Sequence, residues 1–401
     1  MLIGGGVLVV IALFILIAKP FEAKAPLLGE TPESTKAPEN TSGAGESSGT
    51  QSGVQPAVTR PAGNVTPSKV PPVKTTVGRT VPEIVKPTGY TNTDPVLMKD
   101  LIGKKVILVE FWTYTSMNSM RTVPYLNQWH LRYKDKGLVI LSIHTPRFFF
   151  EKQKDNVDKA AFKYHMINPI VLDSEYGTWN NWGNSSWPTT YLIDINGKIA
   201  YTHLGEGSYG STEAKIQQLL EARAVKLGLK QGTWLPFETP ADAVPVDLAL
   251  VKSPEVYFGW TGNGSLANGI AHKEGMQDMK PFTDVKLNSL YLKGSWEITN
   301  EYAKQLAEGG SITYRYSAKN LDVVFGALKM NKVKVLVDGA PLTAANAGSD
   351  VRIETGPTAG SYVFVSDDRV YNIIKGGAYG EHTVEFVPYS PGLEAYVLMF
   401  S

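Results

Sequence analysis

Two apolar runs dominate the middle of the chain. Lys104–Trp112 reads KKVILVEFW and residues 138–145 read LVILSIHT, each a nearly unbroken series of aliphatic side chains. Such runs are typical of strands that are buried on both faces of a sheet. The segment between them contains SMRTVPYLNQWHLRYKDKG, which has apolar residues at helical spacing and ends at Gly137. The pattern therefore predicts a strand, a helix and a second strand.

The same alternation continues towards residue 227. A helix is predicted around Glu151–His165, two strands lie within WPTTYLIDINGKIAYTHLGE, and Ser211 is a candidate N-cap for a closing amphipathic helix. Asn196-Gly197 favours a type I′ hairpin between the two strands. The alternative, a calcium loop, is less well supported because Lys198 occupies a position that needs an oxygen donor. Residues 86–230 are thus predicted to form an α/β domain with a mixed sheet and helices on both faces.

From residue 244 to 401 the pattern changes to short alternating runs separated by turn residues. Examples are SITYRYSA, LDVVFGA, HTVEFVPYS and EAYVLMFS, and Asp338-Gly339 favours a tight hairpin. Short strands at this spacing predict an all-β sandwich or jelly roll.

The N-terminal part predicts a membrane segment and a linker. Residues 1–18 carry no charged side chain, which is about the length needed to cross a hydrocarbon core of ~30 Å. We expect residues 1–19 to be a single-span anchor. The alternative is a cleaved signal peptide, although the run is longer than a usual signal core and no basic residue precedes it. Residues 20–85 are rich in Pro, Ser, Thr and Gly and predict a disordered linker.

The composition removes several function classes. The chain has no cysteine, so it has no disulfide, thiolate metal site or thiol nucleophile of its own. Its net charge of +1, from 39 basic and 38 acidic side chains, gives no reason to expect nucleic acid as a partner. The six histidines show no metal-ligand spacing and no phosphate-binding glycine motif is evident, so we expect neither a metal nor a cofactor.

The first buried strand runs into a motif that carries a family resemblance. In VEFWTYTSMNS, Glu110 lies near the end of the strand, and Ser116 and Ser119 lie where the next helix begins, with Pro124 inside that helix. This layout resembles thioredoxin-like domains of the TlpA/ResA/DipZ type, in which a buried acid and an aromatic pair lead to a C-x-x-C motif. The resemblance implies a thioredoxin-like fold with serine in place of both active-site cysteines.

Other stretches extend the resemblance over most of the chain. HTPRFFFEK and GEGSY are similar to DipZ-type signatures, and Trp187-Pro188 lies where the family has a cis-proline that presents backbone to a substrate peptide. The β region resembles the C-terminal sandwich of DipZ-like proteins, itself similar to carbohydrate-binding modules, in SPEVYFGW, LYLKGSWEI, VLVDG, RVYNII and PGLEAYVLMFS. A DipZ-like protein carries a multi-span membrane domain, whereas this sequence predicts one span.

Serine cannot perform the family reaction. Disulfide exchange needs a thiolate and a resolving thiol, and a serine hydroxyl stays protonated at neutral pH. Ser116 as a hydrolytic nucleophile would need a base, and His130 and His144 are the nearest histidines, neither at a recognisable spacing. We favour a helix cap for Ser116 and a residual buried acid, with a raised pKa, for Glu110.

Without its catalytic thiols, the motif still predicts a binding surface. A groove flanked by Trp112, Tyr114, Met117, Trp187 and Pro188 is predicted to pair with an extended peptide, unless these aromatic side chains simply cover the sheet edge. A second candidate is a glycan platform, unless its residues fill the sandwich core; its members are Tyr257, Trp260, Tyr291 and Trp296.

These observations predict a membrane-anchored, extracytoplasmic, redox-inactive binding protein whose ligand is an envelope protein, a peptide or a glycan. The alternative is a thiol–disulfide oxidoreductase of the TlpA/DipZ type whose cysteines have been substituted in this chain. A third possibility is a sugar-binding adhesin in which the thioredoxin-like domain is only a spacer.

Overall fold

The computed structural model describes residues 76–401, and its first part is an α/β domain. The six strands of this domain are β1 (Gly89–Thr91), β2 (Val106–Trp112), β3 (Leu138–His144), β4 (Ile170–Leu172), β5 (Thr189–Ile193) and β6 (Ile199–Leu204). Its helices are α1 (Met98–Leu101), α2 (Met117–Tyr133), α3 (Lys154–Lys163), α4 (Gly177–Trp182) and α5 (Tyr209–Lys226). Short 3₁₀ turns occupy Lys134–Lys136 and Phe149–Lys152.

The sheet of the α/β domain is mixed, with the strand order β1-β4-β3-β2-β5-β6. β2, β3 and β4 are parallel, while β1, β5 and β6 join antiparallel. All seven residues of β2 are buried because both faces of the sheet are covered. Val106 and Leu108 pack towards α2 and α5, and Ile107 and Val109 pack towards α1 and α4. This is the thioredoxin-like fold that the motif implied.

The α/β domain begins earlier than predicted. Residues 76–85 were expected to belong to the disordered linker, but Val81 and Ile84 are buried in the domain core. The Gly78 N–H also donates to the Ile199 carbonyl over 2.8 Å. The remainder of the predicted linker and the predicted anchor, residues 1–19, lie outside the described residues. Within residues 76–401, no helix has the length and apolar character to cross a bilayer.

Two local predictions in the α/β domain were wrong in detail. The Asn196-Gly197 connection is a five-residue loop rather than a type I′ turn. Its Asp194 carboxylate accepts the N–H groups of Asn196 and Lys198, and only Gly197 has a positive φ. The last helix starts at Tyr209, so Ser211 lies inside it and does not cap it.

The second part of the structure is a β-sandwich of two seven-stranded sheets. The strands are β7 (Val256–Tyr257), β8 (Gly275–Asp278), β9 (Leu290–Lys293), β10 (Ser295–Ile298), β11 (Ala303–Gln305), β12 (Ser311–Ala318), β13 (Leu321–Gly326), β14 (Asn331–Val337), β15 (Ala340–Pro341), β16 (Val351–Glu354), β17 (Gly360–Val365), β18 (Arg369–Ile374), β19 (Gly380–Pro388) and β20 (Glu394–Phe400). The first sheet has the order β18-β13-β20-β11-β10-β8, with β7 beside β20. The second sheet has the order β16-β17-β14-β19-β12-β9, with β15 beside β14. A 3₁₀ turn occupies Gly356–Thr358.

The predicted hairpin at Asp338-Gly339 is present. Both residues have positive φ, 52° and 80°, as a type I′ turn requires, and they join β14 to β15 directly. The contrast with Asn196-Gly197 shows that the dipeptide favours this turn, but strand pairing decides whether it forms.

Two strands of the first sheet, β13 and β20, carry buried apolar side chains on both faces. In β13, Val323 and Phe325 point into the sandwich core, while Val324 between them packs on the α/β domain. In β20, Leu398 likewise lies in the sandwich core, while Met399 packs on the α/β domain. Successive side chains of a strand face opposite sides, so a strand that is apolar throughout needs cover on both. The α/β domain supplies the second cover.

Candidate functional site

The strand–helix corner, residues 110–119, lies where β2 ends and α2 begins. Ser116 is the N-cap residue of α2, with an extended backbone, and its Oγ accepts the Ser119 N–H over 3.4 Å. Ser116 is 5% exposed and Ser119 1%. The Ser119 hydroxyl has no hydrogen-bond partner among the described residues. The corner thus holds two hydroxyls one helical turn apart, with the first in the capping role predicted for it.

A buried carboxyl group lies behind the corner. Glu110 accepts a hydrogen bond from the Thr190 hydroxyl on the adjacent strand β5, and its Oε1 has no partner in residues 76–401. Burial raises the pKa of Glu110 to about 8, and the Thr190 hydrogen bond only partly opposes this shift. The group is therefore largely protonated at neutral pH, and the raised pKa agrees with the expectation from the sequence.

The Trp187-Pro188 turn lies next to the corner. Phe111 pairs with Thr189, so one further step of this antiparallel register places Trp112 beside Pro188. The Trp187–Pro188 peptide bond is cis, as the resemblance implied. Neither the backbone N–H nor the carbonyl of Trp187 hydrogen bonds with another described residue. Two backbone groups on this turn are therefore free to pair with a ligand.

No described histidine activates Ser116. His144 is fully buried, with its ring 5.0 Å from that of Trp112 and 5.4 Å from that of Tyr114. Neither of its ring nitrogens has a hydrogen-bond partner among the described residues, and burial lowers its pKa to about 3. His130 lies near the C-terminal end of α2, about four turns from Ser116. The arrangement lacks the nucleophile–base contact that hydrolysis requires.

The sandwich covers the aromatic side of the corner. Trp112 and Tyr114 share one apolar cluster with sandwich residues of β13, β18 and β20. The sandwich side chains in this cluster are Val324, Val370, Tyr396, Val397 and Met399. The Tyr396 ring lies 5.1 Å from Phe148 and 5.2 Å from Phe150 of the HTPRFFFEK segment. The corner and the sandwich therefore form one packed core.

A buried arginine connects the two domains at this core. Arg147 donates to the Thr115 carbonyl over 3.2 Å, immediately before Ser116, and its guanidinium also hydrogen bonds with Glu255 and Tyr257 of the sandwich. Its ring contact with Tyr257 is 4.7 Å. Although desolvation alone would lower the pKa of Arg147, Glu255 and Tyr257 raise it further above its usual range. The arginine is therefore charged and ties the backbone of the corner to the sandwich.

A second buried ion pair holds α2 to the loop that follows β6. The Arg121 guanidinium donates two hydrogen bonds to the Glu206 carboxylate of the GEGSY segment, over 2.7 and 2.6 Å, which makes the ion pair bidentate. Both side chains are more than nine-tenths buried. A bidentate arginine–carboxylate pair fixes the relative orientation of its two side chains in addition to its electrostatic attraction. It positions the loop after β6 against the first turns of α2.

Family comparisons agree with this architecture. Residues 76–220 match the family described as Redoxin, and residues 253–401 match the family described as Thioredoxin like C-terminal domain. The chain therefore joins a redoxin domain to a thioredoxin-like C-terminal domain. The redoxin domain is of the TlpA/ResA/DipZ type, and the sandwich is DipZ-like.

Individual relatives support the same assignment. Protein DipZ of Mycobacterium tuberculosis is 33% identical over 322 residues, which cover 79% of this chain and 42% of DipZ, and DipZ of Mycobacterium bovis gives the same values. Thiol-disulfide oxidoreductase ResA of Geobacillus thermodenitrificans is 33% identical over 125 residues, covering 31% of this chain and 66% of ResA. The chain thus spans less than half the length of the DipZ proteins it matches.

The predicted groove residues divide into two groups. Trp112 and Tyr114 are 1% and 4% exposed beneath the sandwich, so they cannot flank an open groove in the redoxin domain. Met117 and Trp187 are half-buried and reach the surface, while Pro188 is buried. The Trp187 ring packs at 4.5 Å from Trp179. Only the Met117 and Trp187 sides of the predicted groove are open to a ligand.

The predicted glycan platform is not formed as a single surface. Trp296 is fully buried in the sandwich core, and its indole N–H donates to the Lys293 carbonyl over 2.8 Å. Tyr291 is 6% exposed and packs against Phe282, and Tyr257 bonds with Arg147 at the domain interface. Trp260, like Tyr257, is half-buried. The alternative stated from the sequence, that these aromatic residues fill the sandwich core, fits Trp296, and Trp260 packs partly buried against that core, whereas Tyr257 packs in the cluster between the domains.

Sequence reasoning missed the role of the sandwich as a cover. The signal was present, because LDVVFGA and EAYVLMFS are apolar on both faces, which an exposed antiparallel sheet does not need. Arg147 was also missed, since a lone arginine in a loop gives no indication of burial. The described residues contain no cluster of His, Asp or Glu suited to a metal ion.

Proposed function

We propose that the chain is a redox-inactive thioredoxin-like binding protein that recognises an extended peptide or protein segment at the cell envelope. The observation that carries this proposal is the corner itself. Its cap, its buried Glu110 and the Trp187-Pro188 turn beside it are all in place, while Ser116 and Ser119 occupy the positions of the reactive thiols. A scaffold that keeps its recognition geometry without its nucleophiles can bind but cannot exchange disulfides.

Peptide recognition is favoured by the open part of the corner. The free N–H and carbonyl of Trp187 suit the main chain of an extended partner, and the N-terminus of α2 lies beside them. Main-chain pairing supplies affinity with little sequence preference, so neighbouring side chains such as Met117 would set the specificity. A glycan remains the alternative ligand, with Trp260 as its half-exposed aromatic contact.

An envelope location is part of the proposal. It is supported by the charge-free residues 1–18 and by the polar, Pro-rich segment that follows them. A single span would hold the two domains close to the membrane on its extracytoplasmic side.

The second candidate is an oxidoreductase whose cysteines have been substituted, and the intact corner favours it too. We expect no insulin reduction by the chain as it stands. With dithiothreitol as the reductant, we expect the double variant Ser116→Cys, Ser119→Cys to gain reductase activity, because the N-terminus of α2 lowers the pKa of a thiol at position 116. The variant with Ser116→Cys alone is the control and should form mixed disulfides without turnover. Turnover by the unmodified chain would refute redox inactivity, and an inert, folded double variant would show that the corner has lost the family geometry.

The binding role is tested by photo-crosslinking in intact cells. With p-benzoylphenylalanine in place of Met117 or Trp187, we expect a discrete adduct with an envelope protein. The matched control carries the same group in place of Met276, which is 79% exposed on the sandwich. Adducts of equal yield from position 276, or none from 117 and 187, would contradict recognition at the corner.

A further inference from the structure

A cavity of about 250 Å³ lies between the two domains, behind the corner. One wall is α3 of the redoxin domain, and the other is the turn from β17 to β18 of the sandwich. Tyr114 of the corner lines it as well. The cavity exists only because the two domains pack together, so neither domain forms it alone.

One wall of the cavity is positively charged. Lys159 and Lys163 lie one turn apart on α3 and both line the cavity. Neither forms an ion pair with another residue in 76–401. Like charges at this spacing destabilise a helix slightly, so an anionic group between them would relieve a repulsion already present.

The opposite wall presents a carboxylate without a partner. Asp368 forms no hydrogen bond or ion pair with any described residue, and it packs against Gly326, where a Cβ would collide with it. Burial, followed by the charges of Glu394 and Asp367, raises the pKa of Asp368 to about 6. Arg369 also lines the cavity, but it is already paired with Asp350 over 2.8 Å. The lining groups without an ion pair among the described residues are therefore two ammonium groups on one side and the carboxylates of Asp367 and Asp368 on the other, and of these two Asp367 already accepts a hydrogen bond from the Ser366 hydroxyl.

Between the charged walls the lining is apolar and aromatic. Ala160 and Val370 contribute aliphatic surface, and the rings of Tyr114 and Tyr164 contribute aromatic surface. Tyr114 is 4% exposed, and its hydroxyl has no hydrogen-bond partner among the described residues. Buried hydroxyls are normally satisfied, so an unsatisfied one beside a cavity marks a position for a polar ligand atom.

We propose that this cavity binds an amino-acid-sized zwitterion with an apolar side chain, its carboxylate at Lys159 and Lys163 and its ammonium at Asp368. The apolar body lies against Ala160, Val370 and the two tyrosine rings. Mixed charges separated by an apolar floor favour a zwitterion over a simple anion or cation, since either of those leaves one wall unpaired. This site is separate from the Met117 and Trp187 side of the corner.

The test is a ligand-detected NMR titration of the full chain with L-phenylalanine. We expect a dissociation constant on the order of 1 mM or below, in keeping with a ligand of this size. 3-Phenylpropionate lacks the ammonium group and phenethylamine lacks the carboxylate, and each should bind about tenfold more weakly, the effect of one lost charge-assisted hydrogen bond. No binding of L-phenylalanine at about 10 mM, or equal binding of all three compounds, overturns the proposal.

Variants place the binding in the cavity. Asp368→Asn should abolish the preference for L-phenylalanine over 3-phenylpropionate, and Lys163→Gln should reduce the preference over phenethylamine, since Lys159 remains in place. Lys329→Gln and Asp284→Asn, at exposed positions outside the cavity, are the matched controls and should change neither. Because Asp368 is packed, a circular dichroism spectrum accompanies each variant, and Lys163→Gln on the helix surface tests the site independently. Unchanged preferences in folded variants would place the binding elsewhere and refute the assignment.

Discussion

Replacing Arg147 by methionine is expected to lower the free energy of unfolding by about 3–5 kcal/mol, the usual penalty for removing one partner of a buried ion pair. Methionine keeps much of the length of the side chain, but it leaves Glu255 and Tyr257 without their partner and frees the Thr115 carbonyl. Urea unfolding, followed by circular dichroism, measures the change. We also expect the domains to unfold in two steps, because the link between them is weakened.

The control for this variant is Arg79→Met, at an exposed position, which should change stability by less than about 0.5 kcal/mol. A triple variant that adds Glu255→Gln and Tyr257→Phe to Arg147→Met should recover much of the loss, because it removes the unpaired negative charge of Glu255 and the hydroxyl group of Tyr257. If Arg147→Met were no more destabilising than Arg79→Met, the arginine would not connect the domains in solution.

Glu110→Gln is expected to remove a pH dependence of stability. The pKa of Glu110 in the folded protein, about 8, lies above the usual value of 4.5 for a glutamate, so between these pH values the unfolded chain has lost a proton that the folded chain keeps. The free energy of unfolding therefore falls as the pH rises through this window, by up to about 1.4 kcal/mol per pH unit for this group. Glutamine has no such proton, so relative to the parent the variant should gain about 3–5 kcal/mol between pH 4.5 and pH 8.

Urea unfolding at a series of pH values tests this difference. Asp322 and Asp368 also have raised pKa values, each about 6, and contribute to the parent slope in the same direction. Comparing the variant with the parent at each pH isolates the contribution of Glu110. Glu274→Gln, at an exposed position, should leave the slope unchanged. Parallel curves for Glu110→Gln and the parent would show that the carboxyl group ionises normally in the folded protein.

Much of the redoxin domain was predictable because its signals are local. The apolar run of β2, the helical spacing of α2 and the capping position of Ser116 all follow from neighbours within a few residues. The hairpins were predictable only in part. Asp338-Gly339 forms the turn its composition favours, whereas β5 and β6 stop short of Asn196-Gly197 and leave a longer loop.

The groove was the part of the site that local signals could not fix. Trp112 and Tyr114 have the composition of a binding surface, yet residues far along the chain bury them. The family resemblance predicted the geometry of the corner, but it could not predict that the sandwich buries Trp112 and Tyr114, because that burial depends on how the two domains pack. The same reason explains why Arg147 and Asp368 gained their roles only from the structure.

The packing of the sandwich on the corner also matters while the chain is being translated. Tyr396, Val397 and Met399 of β20 are translated roughly 285 residues after Trp112, which at about 5–20 residues per second is on the order of 15–60 s. During that interval the aromatic residues of the corner have no partner from β20. The nascent redoxin domain must therefore pass through a period in which an apolar surface is available to chaperones and proteases. Translation rate and chaperone supply, rather than equilibrium stability alone, would then govern the yield of folded protein.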